Sequence, residues 1–362
     1  MRDTRFHWHG GALSLATERF GDPGPEGWLD LSTGIAPIAY PFARLSPSSW
    51  TQLPDEGAVA AFERVVRSVH GLPTDAGVLP VAGEQVALQW LPYCQFPTGG
   101  AEPIGPVLVP DPGYGGHGEA WNTAGFTVEP VADPLVGEGR APVLVVINPN
   151  NPDGRRWSPP RLLEAARRQA EIGGLLIVDE AFCELTPDLS LLTHAGAPGL
   201  VILRSLGKFF GLPGARMGWV AGPPGLIDAL TRRMGPWAVS GPALEIGARA
   251  EGDMPWRAAQ LRRLRRRAGA LERILSTAGF TILGGTDLFK LVEVPPWPHG
   301  VGSAYWWWEA LAGHGILTRP FIGHPSWLRL GLPQSRSGEV RLVRTLETLG
   351  RRAKGVVSEN LA

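Results

Sequence analysis

The sequence predicts an α/β fold: a large domain with a mostly parallel central sheet flanked by helices, and a smaller α+β domain. Three observations predict it. The middle of the 362-residue chain alternates short apolar runs with amphipathic stretches, the pattern of successive strand–helix–strand units. Those runs are almost continuously apolar, as strands covered on both faces are. After about residue 240 the texture changes and a long amphipathic stretch takes over, which marks a second unit.

In order, the predicted strands are 106–110 (PVLVP), 142–147 (PVLVVI), 174–178 (GLLIV), 200–203 (LVIL) and 218–221 (GWVA). Between two of them, residues 160–171 put Leu162, Leu163, Ala166 and Ala170 on one helical face. Residues 256–278 form one long predicted helix whose stripe is Leu261, Leu264, Ala268, Leu271 and Leu275. Arg262, Arg263, Arg265, Arg266 and Arg267 fill the opposite face, where water suits them better than a nucleic acid. Trp306–Trp308, inside AYWWWEALAGHGIL, covers one side of a helix and packs its ends. The domains expected are 1–45 (an N-terminal arm and part of the small domain), 46–240 (large) and 241–362 (small).

Composition excludes several classes. With 34 basic and 34 acidic side chains the formal charge is zero, so no basic surface for nucleic acid emerges. A chain 44% hydrophobic, 19% charged and holding 14 Trp buries enough apolar surface to fold. No run approaches the roughly 18 apolar residues of a membrane span, and the N-terminus lacks a signal-peptide core. Cys94 and Cys183 are too few for a disulfide framework or a structural zinc site. A cytoplasmic location is expected. The 48 glycines and 35 prolines imply many tight turns.

Four features share one strand-and-loop layer. NPNNPDG at 148–154 follows the strand VLVVI, where open α/β sheets place ligands. Asp179-Glu180 follows LLIV; a carboxylate at the end of a buried strand needs a cation to meet it. Ser205-Leu-Gly-Lys208 follows LVILR, and a lysine held there is readily deprotonated and nucleophilic toward an aldehyde. GLPGAR at 211–216 returns Arg216 beside that lysine. Together they describe a site for pyridoxal 5'-phosphate. The aldehyde falls to Lys208, the ring nitrogen to Asp179, the ring oxygen to Asn151, and the phosphate to Ser205 and Arg216.

The segments NPNNPDG, VDEAF and SLGKFFGLPGARMGW resemble those of fold-type I pyridoxal phosphate enzymes, the aspartate aminotransferase superfamily, over nearly the whole chain. VAGEQ at 81–85 matches the helix start whose backbone N–H groups cradle the phosphate, which implies Gly83, Glu84 and Gln85 as cofactor contacts. PGYGGH at 112–117 matches the segment whose aromatic stacks on the cofactor ring, His117 by position with Tyr114 as runner-up. Arg329 in WLRLG matches the arginine that pairs with a substrate α-carboxylate.

Two subgroups share this layout, histidinol-phosphate aminotransferases and the threonine-phosphate decarboxylases of cobalamin biosynthesis. HGG at 9–11, LSTGI at 31–35, WTQLPD at 50–55 and RSLGKFFG at 204–211 look more like the decarboxylases, as does GILTRPFIGHPSWLRLGLP. That resemblance implies a small phosphorylated amino-acid substrate, with Arg319 on its phosphate. It also implies a homodimer in which His9 and Thr33 enter from the partner subunit. Three positions depart from the wider pattern. Phe182 replaces a tyrosine that donates to the ring oxygen, leaving that oxygen to Asn151. Leu53 stands where aminotransferases present a neighbour's tyrosine to the phosphate, and Ala36 replaces the usual Asn.

Overall fold

The computed structural model describes residues 9–42, 45–95, 105–295 and 303–359. Along the chain its elements begin with α1 (Leu13–Phe20), β1 (Leu29–Asp30), α2 (Pro47–Thr51), α3 (Glu56–His70), β2 (Gly77–Val81) and α4 (Glu84–Gln95). Next come β3 (Val107–Pro110), α5 (Gly115–Thr123), β4 (Val128–Val131), β5 (Val143–Ile147), α6 (Pro159–Glu171), β6 (Leu175–Asp179), β7 (Leu200–Ser205) and β8 (Gly218–Gly222). The helices α7 (Pro224–Met234), α8 (Gly241–Gly252) and α9 (Met254–Thr277) follow. The chain ends with β9 (Thr281–Thr286), β10 (Phe289–Glu293), α10 (Ser303–Ala312), β11 (Ile316–Leu317), β12 (Arg319–Phe321), β13 (His324–Gly331) and α11 (Arg336–Glu359).

Two compact units emerge, Ala39–Leu261 and Met1–Ile38 with Arg262–Ala362. The divisions therefore fall at 38/39 and 261/262, where the sequence alone suggested 45/46 and 240/241. Helix α8 accounts for the later second division. Its Gly247 lies against Phe62 and Met217, and Ala243, Leu244, Ile246 and Ala250 are buried, which fastens it to the larger unit.

In the larger unit seven strands are ordered β2-β8-β7-β6-β5-β3-β4. The sheet is parallel except for β8, which runs antiparallel to both β2 and β7. GWVA was expected among the parallel strands. Its direction follows from the connection: residues 206–217 hold one short 3-10 turn, Pro213–Ala215, and no helix to carry the chain back across the sheet. The unbroken apolar runs are explained, since β5, β6 and β7 are buried along their whole length. Each such Val, Leu or Ile contributes about 1.5–3 kcal/mol relative to an exposed one. Register pairs Ile147 with Asp179 and Asp179 with Leu203, so the chain leaves β5, β6 and β7 at one common edge. Asn148, Asp179 and Ser205 meet there.

Charges are buried in the same unit. Arg204 bonds Glu180 at 2.9 Å and Glu184 at 2.7 Å. Glu251 gathers His70 at 3.0 Å, Trp219 Nε1 at 3.1 Å and Arg257 at 2.6 Å. Burial on this scale is tolerated only because each charge has its partner. The network ties α3 and α8 to the sheet residues beside the site.

In the other unit β12-β13-β10-β9 form an antiparallel sheet, and β1 pairs in parallel with β11. On α9, Leu264, Ala268, Leu271 and Leu275 are buried while Arg262, Arg265 and Arg266 are exposed, as the stripe predicts. Trp307 and Trp308 are buried on α10, and Trp307 packs edge-on against Phe280 at 4.8 Å. No helix among the described residues is long and apolar enough to cross a membrane.

Candidate active site

Asp179 ends β6 and is 3% exposed. His117 Nε2 lies 2.9 Å from its Oδ2, and the Ala181 N–H donates to its Oδ1 at 2.9 Å. Burial works to raise the Asp179 pKa; the His117 bond, its charge and the Ala181 N–H outweigh it and hold the carboxyl below its ordinary value. Asp179 is thus an anion at neutral pH, aimed by two donors.

That geometry bears on the choice between His117 and Tyr114 for the cofactor ring. His117 is fully buried, with its ring engaged to Asp179. A ring that stacks on a cofactor needs an open face. Tyr114, one turn earlier, is half-buried, and its hydroxyl donates to Gln85 Oε1 at 2.9 Å.

Helix α4 begins beside this acid. Gly83 precedes it with φ +82°, and a Cβ at Gly83 would sit 2.5 Å from Arg216 Nη2, so the guanidinium lies directly over the glycine. Arg216 itself adopts φ 48° and bonds the Pro213 carbonyl at 3.1 Å. A helix N-terminus and a guanidinium at one glycine make a cradle for an anion. The Glu84 side chain, expected to matter only through its backbone, turns toward Asp179. Glu84, His117 and Asp179 each bring a ligating atom within 4.8 Å of the others, a spacing that a metal ion also accepts. Burial, then the charge of Asp179, pushes the Glu84 pKa well up, while Lys208 opposes the shift.

Ser205 ends β7 at 9% exposure, its Oγ accepting the Gly207 N–H at 3.3 Å. Lys208 Nζ lies 5.9 Å from the centre of the Phe182 ring. Asn151 is 8% exposed in the 148–154 turn. Asn148 closes that turn through Trp157, at 3.0 and 3.1 Å, and Asn150 fastens it to the Pro112 carbonyl at 2.9 Å. Gly83, Glu84, Gln85, His117, Asn151, Asp179, Ser205, Lys208 and Arg216 therefore all belong to the larger unit, most of them on the shared strand edge.

His9, Thr33, Arg319 and Arg329 belong to the smaller unit. Arg319 and Arg329 are directly opposed across β12 and β13, both buried. Burial and the charge of Arg319 lower the Arg329 pKa well below its ordinary value, and Asp30 works the other way. Two buried arginines paired across neighbouring strands suit a ligand with more than one negative charge. The Ser32 carbonyl accepts from Arg329 Nη2 at 2.6 Å, and a Cβ on Gly331 would meet the Thr33 carbonyl at 2.2 Å. His9 and Thr33 were expected from a partner subunit. Within one chain the segment 30–33 packs on β13, with 10–11 against it.

The chain from residue 48 to residue 344 matches the family model for aminotransferase class I and II. It belongs to that family. A threonine-phosphate decarboxylase of Sinorhizobium sp. is 41% identical over 93% of this chain and 97% of its own length. The corresponding protein of Pseudomonas aeruginosa is 39% identical over 92% and 95%. Among solved structures, histidinol-phosphate aminotransferase from Sinorhizobium meliloti, in complex with pyridoxal-5'-phosphate, superimposes with a TM-score of 0.78 at 18% identity. That match covers 94% of this chain and 95% of the other, and shares the fold.

The residues of this class I and II family member fit pyridoxal phosphate on their own terms. The Gly83–Arg216 cradle suits a phosphate, the His117-aimed carboxylate suits a protonated ring nitrogen, and Lys208 suits an aldehyde. Sequence reasoning missed the His117–Asp179 bond and the buried Glu180–Arg204–Glu184 group. The only available signal was the one-turn spacing of His117 from Tyr114.

Proposed function

We propose that this chain is a pyridoxal 5'-phosphate-dependent carboxy-lyase that converts L-threonine O-3-phosphate to (R)-1-amino-2-propanol O-2-phosphate, a step of cobalamin biosynthesis. The observation that carries the proposal is similarity at 41% and 39% identity, over nearly the full length, to two threonine-phosphate decarboxylases. A histidinol-phosphate aminotransferase of Oleidesulfovibrio alaskensis matches at 30% over 60% of the chain.

The cofactor supplies an aldehyde for the substrate amine and an electron sink for the pair left at Cα. The protein does the rest. Glu84 and Gln85 would offer N–H groups to the phosphate, with Ser205 Oγ and the Arg216 guanidinium, while the Gly83 N–H closes the turn on the Val81 carbonyl at 2.7 Å. Asp179 would keep a proton on the ring nitrogen, Asn151 would donate to the ring oxygen, and Tyr114 would cover a ring face. Arg329 takes the substrate carboxylate and Arg319 its phosphate. Anchoring both carboxylate and phosphate would fix the torsion about Cα, which decides whether the bond to the carboxylate or to hydrogen breaks. Such positioning is worth about 7–11 kcal/mol. Lys208 Nζ or a water would then return a proton to Cα.

A cytoplasmic homodimer is the proposed form. Phe42, Trp50, Leu53 and Trp237 expose large apolar surfaces on the larger unit, of the kind a second copy covers. The test of function is a panel of phosphorylated and plain amino acids on purified holoenzyme, scored separately for CO₂ and for oxo acid. CO₂ from threonine phosphate supports the proposal. With an oxo acid added as amino acceptor, a ketone from histidinol phosphate or an oxo acid from an amino acid, without CO₂, would replace it with an aminotransferase.

A further inference from the structure

We propose that Ser32 is a positioning residue: it sets the guanidinium of Arg329 and straps residues 9–11 onto the loop that holds it. This rests on the assignment of the substrate carboxylate to Arg329.

Ser32 is 3% exposed and all its polar groups are used. Its N–H and its hydroxyl both donate to Asp30 Oδ1, at 2.8 and 2.5 Å. Its Oγ accepts the Gly11 N–H at 2.8 Å, and its carbonyl accepts Arg329 Nη2 at 2.6 Å. One residue thus joins an acid, an N-terminal backbone amide and a substrate-facing arginine.

The glycines make this contact possible. A Cβ on Gly10 would lie 2.3 Å from the Ser32 carbonyl oxygen, and Gly11 has φ +82°. Only bare backbone lies that flat against Ser32. HGG and LSTGI, about twenty residues apart in sequence, are therefore one structural piece. Its far side is docked as well. Gly331 N–H donates to the Leu31 carbonyl at 2.7 Å, two residues beyond Arg329 on the same strand.

The arrangement has a chemical consequence. Asp30 is the acid whose charge steadies Arg329. Ser32 engages Asp30 Oδ1 twice, which holds the carboxylate in place. With the hydroxyl removed, Asp30 can swing onto the guanidinium and compete with the substrate carboxylate for the same N–H groups. Strap and ligand then share one network, and coupling of that kind is reciprocal: whatever the strap adds to ligand affinity, the ligand adds to strap order.

Ser32→Ala and Gly10→Ala are compared with wild type as holoenzymes, with Ser32→Thr as the variant that keeps the hydroxyl. Hydrogen exchange at the Gly11 amide and the kinetics of O-phospho-L-threonine are measured. In Ser32→Ala the Gly11 amide exchanges about tenfold faster and KM rises about tenfold, a larger change than in kcat. Ser32→Thr moves both back toward wild type, and Gly10→Ala raises exchange like Ser32→Ala. Wild-type exchange in Ser32→Ala overturns the proposal, and so does faster exchange with an unaltered KM. If the unaltered enzyme leaves O-phospho-L-threonine untouched, the substrate assignment fails by itself. Inorganic phosphate then decides: protection of the Gly11 amide in wild type but not in Ser32→Ala upholds the role of Ser32, and equal protection in both rejects it.

Discussion

Asp179, Lys208 and Phe182 carry the residue-scale consequences. Asp179→Asn keeps the shape and removes the charge that holds a proton on the ring nitrogen. Breaking a buried pair of this kind costs about 3–5 kcal/mol; if that cost falls on the transition state, kcat drops by about 100-fold or more, which steady-state CO₂ release reads. Lys208→Ala abolishes turnover, and borohydride no longer fixes the cofactor to the protein. Phe182→Tyr restores a donor to the ring oxygen, which favours the deprotonated form of the bound chromophore. Its absorbance titration should then move to lower pH by about one unit, the size of a single net hydrogen bond. Much of this was legible, because Lys208, Asp179 and Asn151 each follow a buried apolar run and chemistry restricts what can stand there. The role of His117 was not. Tyr114 and His117 lie one turn apart on the same helix entry, and sequence carries no signal for which ring turns inward to an acid 62 positions away.

At the scale of elements, the start of α4 and the strands below the site make separate predictions. Gly83→Val drives a side chain into the Arg216 guanidinium and should weaken cofactor binding at least about tenfold, measured by fluorescence titration of the apoprotein. The Glu251 group ties α3, α8 and β8 together. Burial would raise the Glu251 pKa, but His70 and Arg257 outweigh it and take it down to about 2. A depressed acid stabilises the fold fully above its unfolded value, about 4.5, and loses that contribution as pH falls toward about 2. Glu251→Gln should therefore destabilise the protein at pH 7 and show a flatter loss of stability between pH 4.5 and 2, read by urea unfolding across that range. The parallel strands and α6 were readable from period and burial. The direction of β8 was not, because a short apolar run has the same composition either way; only the lack of a crossover helix after β7 reverses it. The second division falls later than 240/241 for a related reason: nothing in the pattern of α8 says that its Gly247 lies against Phe62 and Met217.

For the whole molecule, family membership and fold agree with the reading of VAGEQ, NPNNPDG, VDEAF and SLGKFFGLPGAR. The assembly is a separate question, and sedimentation should give twice the 38.8 kDa of one chain. Trp50→Glu and Trp237→Glu, at exposed positions, should shift that equilibrium toward the single chain. The reaction is decided most directly by giving holoenzyme a large excess of O-phospho-L-threonine with no oxo acid and counting CO₂ released per active site. The account predicts many turnovers, with aminopropanol phosphate formed in equal amount. A halt after one equivalent, with the cofactor left in its amine form and no CO₂, would contradict it.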